Sequence, residues 1–540
     1  MPHASNRTPL ILYFLAATGI LFFAVLIGNQ ADLDLWGRMA AGALIAQNGK
    51  FPYHDVFSYT APDAVWIDHE WGSGFIFYHV LRAAGGAGLQ LLKLLLLLAV
   101  LTIVFCNEII QNTGESDKSE DQRHVRLLLF AVVLILLLPP LIAHSWLTIR
   151  CQLFSYLCYA LTLLALEAFR LRKRGGRGAI WLLCALYLFW INVHGGFAYG
   201  FAAIFFYVVW MLFSGRRRDA VELLLVALAC LAVTLINPYG IRFHRHIIWS
   251  WALPRENIAE WKTVFVHSGW IFGALYSACL LGWCSLSVYA WSKNRRQFPG
   301  AGMMILATGI EGLLHVKMLP LFAITAAMLG PGLADAMQSP PLARALRSKR
   351  FADCLRIYFP VLLLLLTIPL CAQQLLAPGP AFTTRAPNQD PQSNMVIYPV
   401  DAVQFLQMHD IQGNLWCPFD WGEFLLWTLY PRMRISIDGR YEELYPHEVF
   451  DDAYAFYYGE QNLQIALKYP TTHIIIPARM DPLIDKMREL EEWRLIYRDP
   501  TALIYARGNG SELMENRKLQ PSVALDDLAG DLNRFRSHPD

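Results

Sequence analysis

The densest set of groups able to do acid–base, metal or phosphate chemistry lies between Asp32 and Trp71, just after the first apolar run. It holds Asp32, Asp34, His54, Asp55, Asp63, Asp68, His69 and Glu70, together with Trp36, Trp66 and Trp71. Tryptophan suits a membrane–water boundary. Carboxylates at the mouth of a spanning helix are costly unless they face a water-filled or substrate-filled cavity. Within the stretch, Asp32-Leu33-Asp34 is the sharpest pattern. Two carboxylates this close on a turn can share a divalent cation such as Mg or Mn, or supply one base and one orienting carboxylate. Asp is also a frequent helix N-cap, and Asp34 in that reading caps a helix beginning at Leu35. Asp68-His69-Glu70-Trp71 reads either as a metal-binding or substrate-orienting wall of the same cavity, or as a loop that pairs its own polar groups.

Further along, the chain repeats this habit of placing polar groups where apolar runs end. His194-Gly195-Gly196 joins two runs through a turn tight enough to need glycine, with His194 a candidate for a phosphate or hydroxyl. Arg150 and Gln152 stand at one helix mouth, and Glu311, His315 and Lys317 at another. Arg donates two parallel hydrogen bonds from a planar fork and so fits an anionic ligand. The loop 237–268 carries Arg242, Arg245, Arg255 and Lys262 against the charge bias of its side of the membrane. It reads as an anion-binding loop or as an interfacial helix whose cations reach for headgroups. Late in the chain, Asp438-Gly439 is first a turn signal, from which Arg440 and Tyr441 could extend toward the membrane cavity.

The elements that must position these groups follow from composition. The 540-residue chain is 55% hydrophobic and 16% charged, with mean hydropathy +0.35. A soluble globular chain carries roughly 25% charged residues, so the deficit predicts a polytopic, mainly α membrane bundle. Apolar runs fall near 9–29, 86–106, 126–143, 151–169, 179–193, 196–214, 220–236, 269–291, 300–315, 318–334 and 355–374, about eleven spans. The first reads as a retained helix, since no small-residue cleavage site follows it. Basic residues gather at Lys118/Arg123, 170–177, Arg216-Arg217-Arg218, 293–296 and 344–350, which places those loops and the N-terminus in the cytoplasm. The stretch 30–85 then faces outward with two helices along the membrane surface, Asp34–Gln47 and about Gly72–Ala83, the first ended by Asn48-Gly49. Residues 1–375 form the membrane region, 376–395 a Pro-rich linker, 396–507 an extracytoplasmic α/β domain with a partly parallel sheet, and 508–540 a polar tail. The ten cysteines give no disulfide framework, most lying in apolar runs where Cys is a small hydrophobe. A net charge of +2 with its cations confined to short loops gives no sign of a nucleic-acid partner. Phosphate-binding glycine loops, dinucleotide fingerprints and nucleophile elbows are absent from the sequence.

As a set, the motifs resemble a known family. Asp32-x-Asp34-x-Trp36, Gly49-x-x-Pro52-x-x-Asp55-x-Phe57-Ser58-Tyr59-Thr60 and His69-Glu70-Trp71 are similar to bacterial polytopic glycosyltransferases of the GT-C type. Those are relatives of the protein O-mannosyltransferases and of the lipid A aminoarabinose transferase. Trp190-x-Asn192-x-His194-Gly195-Gly196, Asn237-Pro238-Tyr239-Gly240, Glu260-Trp261 and Asp438-Gly439-Arg440 extend the resemblance over most of the chain. It implies a polyprenyl-phosphate-linked sugar donor, an acceptor that is a glycan, lipid or protein, and a place in the bacterial inner membrane. It also implies a catalytic carboxylate just past the first helix, which maps onto Asp34, with Asp32 as second choice. Leu35 stands where those relatives often have Glu, which leaves the metal and the base open. Donor and acceptor contacts are expected from His69, Glu70, Arg150, His194, Arg242, Lys317 and Arg440, with Arg150, Arg242 or Lys317 meeting the phosphate. Two other readings stand beside this one: a non-catalytic polysaccharide assembly or transport protein, and a ligase or polymerase of lipid-linked glycans.

Overall fold

The computed structural model describes residues 7–112, 126–127, 129–131, 148–253, 258–293, 300–333, 354–376, 382–387, 397–459, 462–508, 522–524 and 534–535. Most of the expected span 126–143 lies outside these residues. So do the basic stretches at 118–123 and 344–350 and most of the linker and the tail. The membrane region runs through helices α1 (Arg7–Ile27), α2 (Leu33–Asn48), α3 (Trp71–Asn112), α4 (Gln152–Arg170), α5 (Gly176–Val193) and α6 (Phe197–Phe213). It continues through α7 (Arg217–Val233), α8 (Ile241–Ala252), α9 (Val264–Lys293), α10 (Gly300–Leu314), α11 (Leu319–Leu333) and α12 (Phe359–Leu376). Among the described residues seven helices are long and apolar enough to cross a membrane, and α6 and α10 are shorter apolar helices. The chain is a multi-pass membrane protein.

One element of the first loop differs from expectation in an informative way. Helix α2 begins at Leu33 rather than Leu35, so its N-cap is Asp32, whose carboxylate accepts the Asp34 N–H at 3.2 Å. Asp34 is therefore not the cap. Gly49 closes the helix in the left-handed conformation, φ 64°, as the Asn-Gly pair implies. Both sides of the helix are covered: Trp36, Met39, Ala40, Ala41 and Ala43 are fully buried, with α3 on one side and the C-terminal domain on the other. Contact with α3 is backbone to backbone. A Cβ on Gly42 would sit 2.2 Å from the Gly74 carbonyl oxygen, so only glycine allows the approach. The helix expected at 72–83 is the first segment of α3: non-helical backbone at Ala84 and Gly85 (φ 61°) ends it, and the long apolar segment begins beyond that break.

The C-terminal domain is a five-stranded mixed sheet in the order β3-β2-β4-β6-β5. Its strands are β2 (Gly413–Trp416), β3 (Met433–Ile435), β4 (His473–Pro477), β5 (Trp493–Arg498) and β6 (Ala502–Arg507), numbered after a short β1 at Arg385–Pro387. β3, β2 and β4 run parallel, while β4, β6 and β5 are antiparallel, with β5–β6 the terminal hairpin. Helices α13 (Val400–Met408), α14 (Phe419–Leu429), α15 (Tyr441–Leu444), α16 (His447–Tyr457) and α17 (Asp481–Arg488) pack around it. The alternating order expected from sequence is the order found, because the parallel strands are separated by apolar-faced helices.

This domain is docked onto the first loop. Trp36 of α2 meets Phe424 of α14 edge to face at 5.1 Å and Tyr398 at 5.4 Å. Residues 57–60 extend the sheet past β3: the Ile435 N–H donates to the Phe57 carbonyl at 3.0 Å and the Tyr59 N–H to the Ile435 carbonyl at 3.2 Å. Beneath that seam Arg440 is buried with two carboxylates, Asp438 at 2.6 Å and Asp55 at 2.9 Å, and its guanidinium stacks on Trp66 at 4.6 Å. The expectation that Arg440 reaches into the membrane cavity is corrected here. Its charge is consumed inside the interface, and the Asp438-Gly439 turn serves to aim it there.

Candidate active site

The groups singled out in the first loop converge on one cavity of about 1270 Å³ between the membrane helices and the C-terminal domain. Ligand pockets usually measure about 300–1,000 Å³, so this one has room for more than one small ligand. Asp34, His69, Glu70, Arg150, His194 and Lys317 all line it, from five separate stretches of chain. Asp32 lies just behind Asp34 and is not part of the lining. Arg242 does not line it either: it is exposed on α8, while Phe243 and His246 on the same helix turn inward. Arg440, as described, is sealed in the domain interface.

Asp34 projects from the first turn of α2, and its side chain keeps 46% of its surface open to the cavity. Burial by the surrounding walls, then the neighbouring Asp32 carboxylate, push its carboxyl up to about 6, against the pull of Arg150 and Arg38. A carboxyl at that value is ionised at neutral pH yet basic enough to take a proton, which is what a general base requires. Asp32 holds the geometry. It caps α2, accepts from the Thr148 hydroxyl at 3.2 Å and pairs with Arg150 at 2.7 Å. Arg150 in turn contacts Glu260 and lies 3.9 Å from Asp34. The guanidinium thus occupies the ground between Asp32 and Asp34 that a shared Mg or Mn would need. These two residues do not fit a paired-carboxylate metal site, and no step is derived through one. Arg150 is also satisfied by acidic partners rather than waiting for an anion.

The second cluster is a wall, ordered by charge. Arg38, also on α2, pairs with Glu70 at 2.7 Å and approaches Asp68 at 3.5 Å. Burial would raise Glu70, but Arg38, His69 and His194 outweigh it and hold its carboxyl down at about 2. His194 ends α5, and its Nδ1 accepts the Gly196 N–H at 2.9 Å beside the Ser155 hydroxyl at 2.7 Å. The proton of the neutral ring is therefore on Nε2, which faces Glu70 at 3.3 Å. Burial lowers His194 to about 4, so it stays neutral. The tight glycine turn exists to make this contact. Lys317 stands across the cavity with its ammonium 4.0 Å from the Trp261 ring.

Four participants had no local signal. Arg38 is one polar residue in a helix otherwise read for its apolar spacing. Glu423 comes from α14 of the C-terminal domain, and its Oε2 accepts the Gly37 N–H of α2 at 3.0 Å. Burial, then the charge of Asp34, push Glu423 well above the usual carboxylate range. Of the two carboxyls, Asp34 ionises first and Glu423 keeps its proton longer. Glu443 of α15 lines the cavity, with His246 of α8 behind it at 3.2 Å.

The architecture is a many-helix membrane bundle with its polar loops gathered under one α/β domain. Among solved structures, the chain shares this fold with the archaeal oligosaccharyltransferase AglB from Archaeoglobus fulgidus, determined in complex with an inhibitory peptide and a dolichol-phosphate. That match has 13% identity, a TM-score of 0.50, and covers 94% of this chain and 74% of the other. ArnT from Cupriavidus metallidurans in the apo state also matches, at 12% identity and a TM-score of 0.46 over 92% of this chain and 97% of the other. No family model and no curated protein sequence matches.

Proposed function

We propose that the chain is a membrane glycosyltransferase that moves a sugar from a polyprenyl-phosphate-linked donor to an acceptor hydroxyl or amide on the outer face of the cytoplasmic membrane. The observation that carries this reading is Asp34: a carboxylate with its pKa raised to about 6, open to a cavity that membrane helices and a water-soluble domain build together. A lipid-linked donor has to enter from the bilayer and an acceptor from water, and this cavity borders both. The dolichol-phosphate and peptide named for the archaeal structure of the same fold are ligands of those two kinds.

In this mechanism the reaction inverts the anomeric centre. Asp34 takes the proton from the acceptor group as its heteroatom attacks the anomeric carbon. The bond from that carbon to the phosphate oxygen breaks, and the polyprenyl phosphate leaves with the electron pair. Lys317, on the cavity wall, is the cation placed to meet the phosphate, while Arg150 positions Asp32 and Asp34 rather than the donor. Positioned charge of this sort acts where charge develops in the transition state. Glu70 and His194 orient the substrates along the cavity wall. Purified protein given a polyprenyl-phosphate donor radiolabelled in the sugar should release polyprenyl phosphate in step with transfer of label to an acceptor. Label that stays on the lipid with every acceptor class offered would overturn the proposal in favour of an assembly or transport role.

A further inference from the structure

At the edge of the cavity stands a cluster of three groups that the sugar-transfer chemistry does not use: His69 and Glu443, which line it, and His246 behind them. They come from three different parts of the chain, the first loop, helix α8 and helix α15 of the C-terminal domain. Their ligand atoms, His69 Nδ1, His246 Nε2 and a Glu443 carboxylate oxygen, lie within 4.8 Å of one another. Both nitrogens approach the same oxygen, Oε2, each at 3.2 Å. Neither makes a hydrogen bond there, although both atoms are buried and His246 as a whole is only 8% exposed. Two imidazolium donors sharing that oxygen would be drawn to about 2.7–2.9 Å and aligned along their N–H bonds. The two nitrogen-to-Oε2 spacings instead come close to the edge of a tetrahedron: ligands about 2.0–2.1 Å from a central zinc ion are about 3.3–3.4 Å apart.

From this we propose that His69, His246 and Glu443 form a zinc site, with the fourth position open to the cavity. Two imidazoles and one carboxylate are a zinc donor set, and three protein ligands with one open position are the pattern of sites that also admit water or a ligand. The surroundings support the ligands as an outer shell should. The Ser250 hydroxyl donates to the other Glu443 oxygen at 3.2 Å, leaving Oε2 for the ion. His69 turns Nδ1 inward and Nε2 toward Glu70, 3.9 Å away. The ion joins membrane loop, membrane-side helix and C-terminal domain in one coordination sphere, so it fastens the domain over the cavity.

Untagged full-length protein, stripped with chelator and titrated with zinc, should take up one ion per chain by elemental analysis. Cobalt added in its place should give the visible absorption of a tetrahedral site. Zinc should also raise the melting temperature. His246→Ala and Glu443→Gln should each weaken uptake by ~100-fold or more, beyond the 10–100-fold typical of removing only an outer-shell partner. Asp34→Asn should bind zinc as the wild type does, which separates this site from the sugar-transfer carboxylate. Wild-type protein that binds no zinc, that binds magnesium equally well, or whose zinc survives both ligand substitutions would overturn the proposal. None of these readouts depends on sugar transfer, so the zinc site and the transferase reading stand or fall separately.

Discussion

Replacing Asp34 by Asn tests the proposed chemistry with little structural disturbance. The cap of α2 belongs to Asp32, which accepts the backbone N–H of residue 34 and not its side chain, so the substitution leaves the helix start intact. What it removes is a base. With a pKa of about 6, Asp34 is about nine-tenths ionised at pH 7, and Asn is not protonated at all in this range. General base catalysis contributes about 10²–10⁴-fold, equivalent to about 2.7–5.5 kcal/mol of barrier. Transfer from a purified lipid-linked donor should fall by at least about a hundredfold, the lower end of that range. The stability change has the opposite sign. A carboxyl raised from 3.8 to about 6 on folding opposes the folded state increasingly as pH climbs between those values, and the full effect is present above 6. The Asn variant should therefore melt at or above the wild-type temperature at pH 7, and the difference should vanish near pH 4. Wild-type transfer should drop about tenfold for each pH unit below 6, as a single required base does. Turnover near the wild-type rate in the Asn variant would refute the assignment. An acidic limb far from pH 6 would refute the stated environment.

Arg150 lowers the Asp34 pKa, so Arg150→Ala should move the acidic limb of the pH–rate profile to higher pH, a shift that loss of packing alone does not produce. Lys317→Ala should raise KM for the lipid-linked donor by an amount equivalent to about 1.5–3 kcal/mol, the scale of a charge-assisted hydrogen bond, with acceptor KM unchanged in steady-state assays. Arg440→Ala leaves Asp55 and Asp438 buried without their cation and should cost about 3–5 kcal/mol in denaturant melts. A loss below about 1 kcal/mol would mean the interface is more hydrated than its burial shows. Gly42→Ala places a methyl against the α3 backbone and should cost at least the 1–3 kcal/mol typical of overpacking, read by melting.

The sequence was informative where chemistry sits at the end of an apolar run. Asp34, Glu70, Arg150, His194 and Lys317 each break a hydrophobic stretch, and a polar group at such a border has few places to go except a shared cavity. The C-terminal strand and helix order was equally readable, because turn residues mark each boundary. Residues whose role depends on docking were not readable. Glu423 and Glu443 look like ordinary helical glutamates, and only the fold brings them to α2 and to His69, hundreds of positions away in the chain. Arg440 shows the converse error: its turn motif is genuine, but the partner it was aimed at, Asp55, could not be named from sequence. The alternative reading of Asp34 as a cap arose because the helix start was placed two residues late, a margin that periodicity alone does not resolve.

The strand-like pairing of residues 57–60 with β3 has a consequence for how the protein is made. The ribosome delivers Phe57 more than three hundred residues before Ile435, its partner across the seam. Until the chain is nearly complete, the first loop carries unpaired backbone groups and an uncompensated Asp55. The C-terminal sheet, for its part, emerges with an open edge at β3 that this loop covers. Closing so long a loop comes late in folding because its entropy must be spent before the contact rewards it. The cavity that holds Asp34 therefore does not exist in any shorter nascent chain. Its assembly waits for β3, and a premature stop anywhere before that strand leaves the bundle without the cavity.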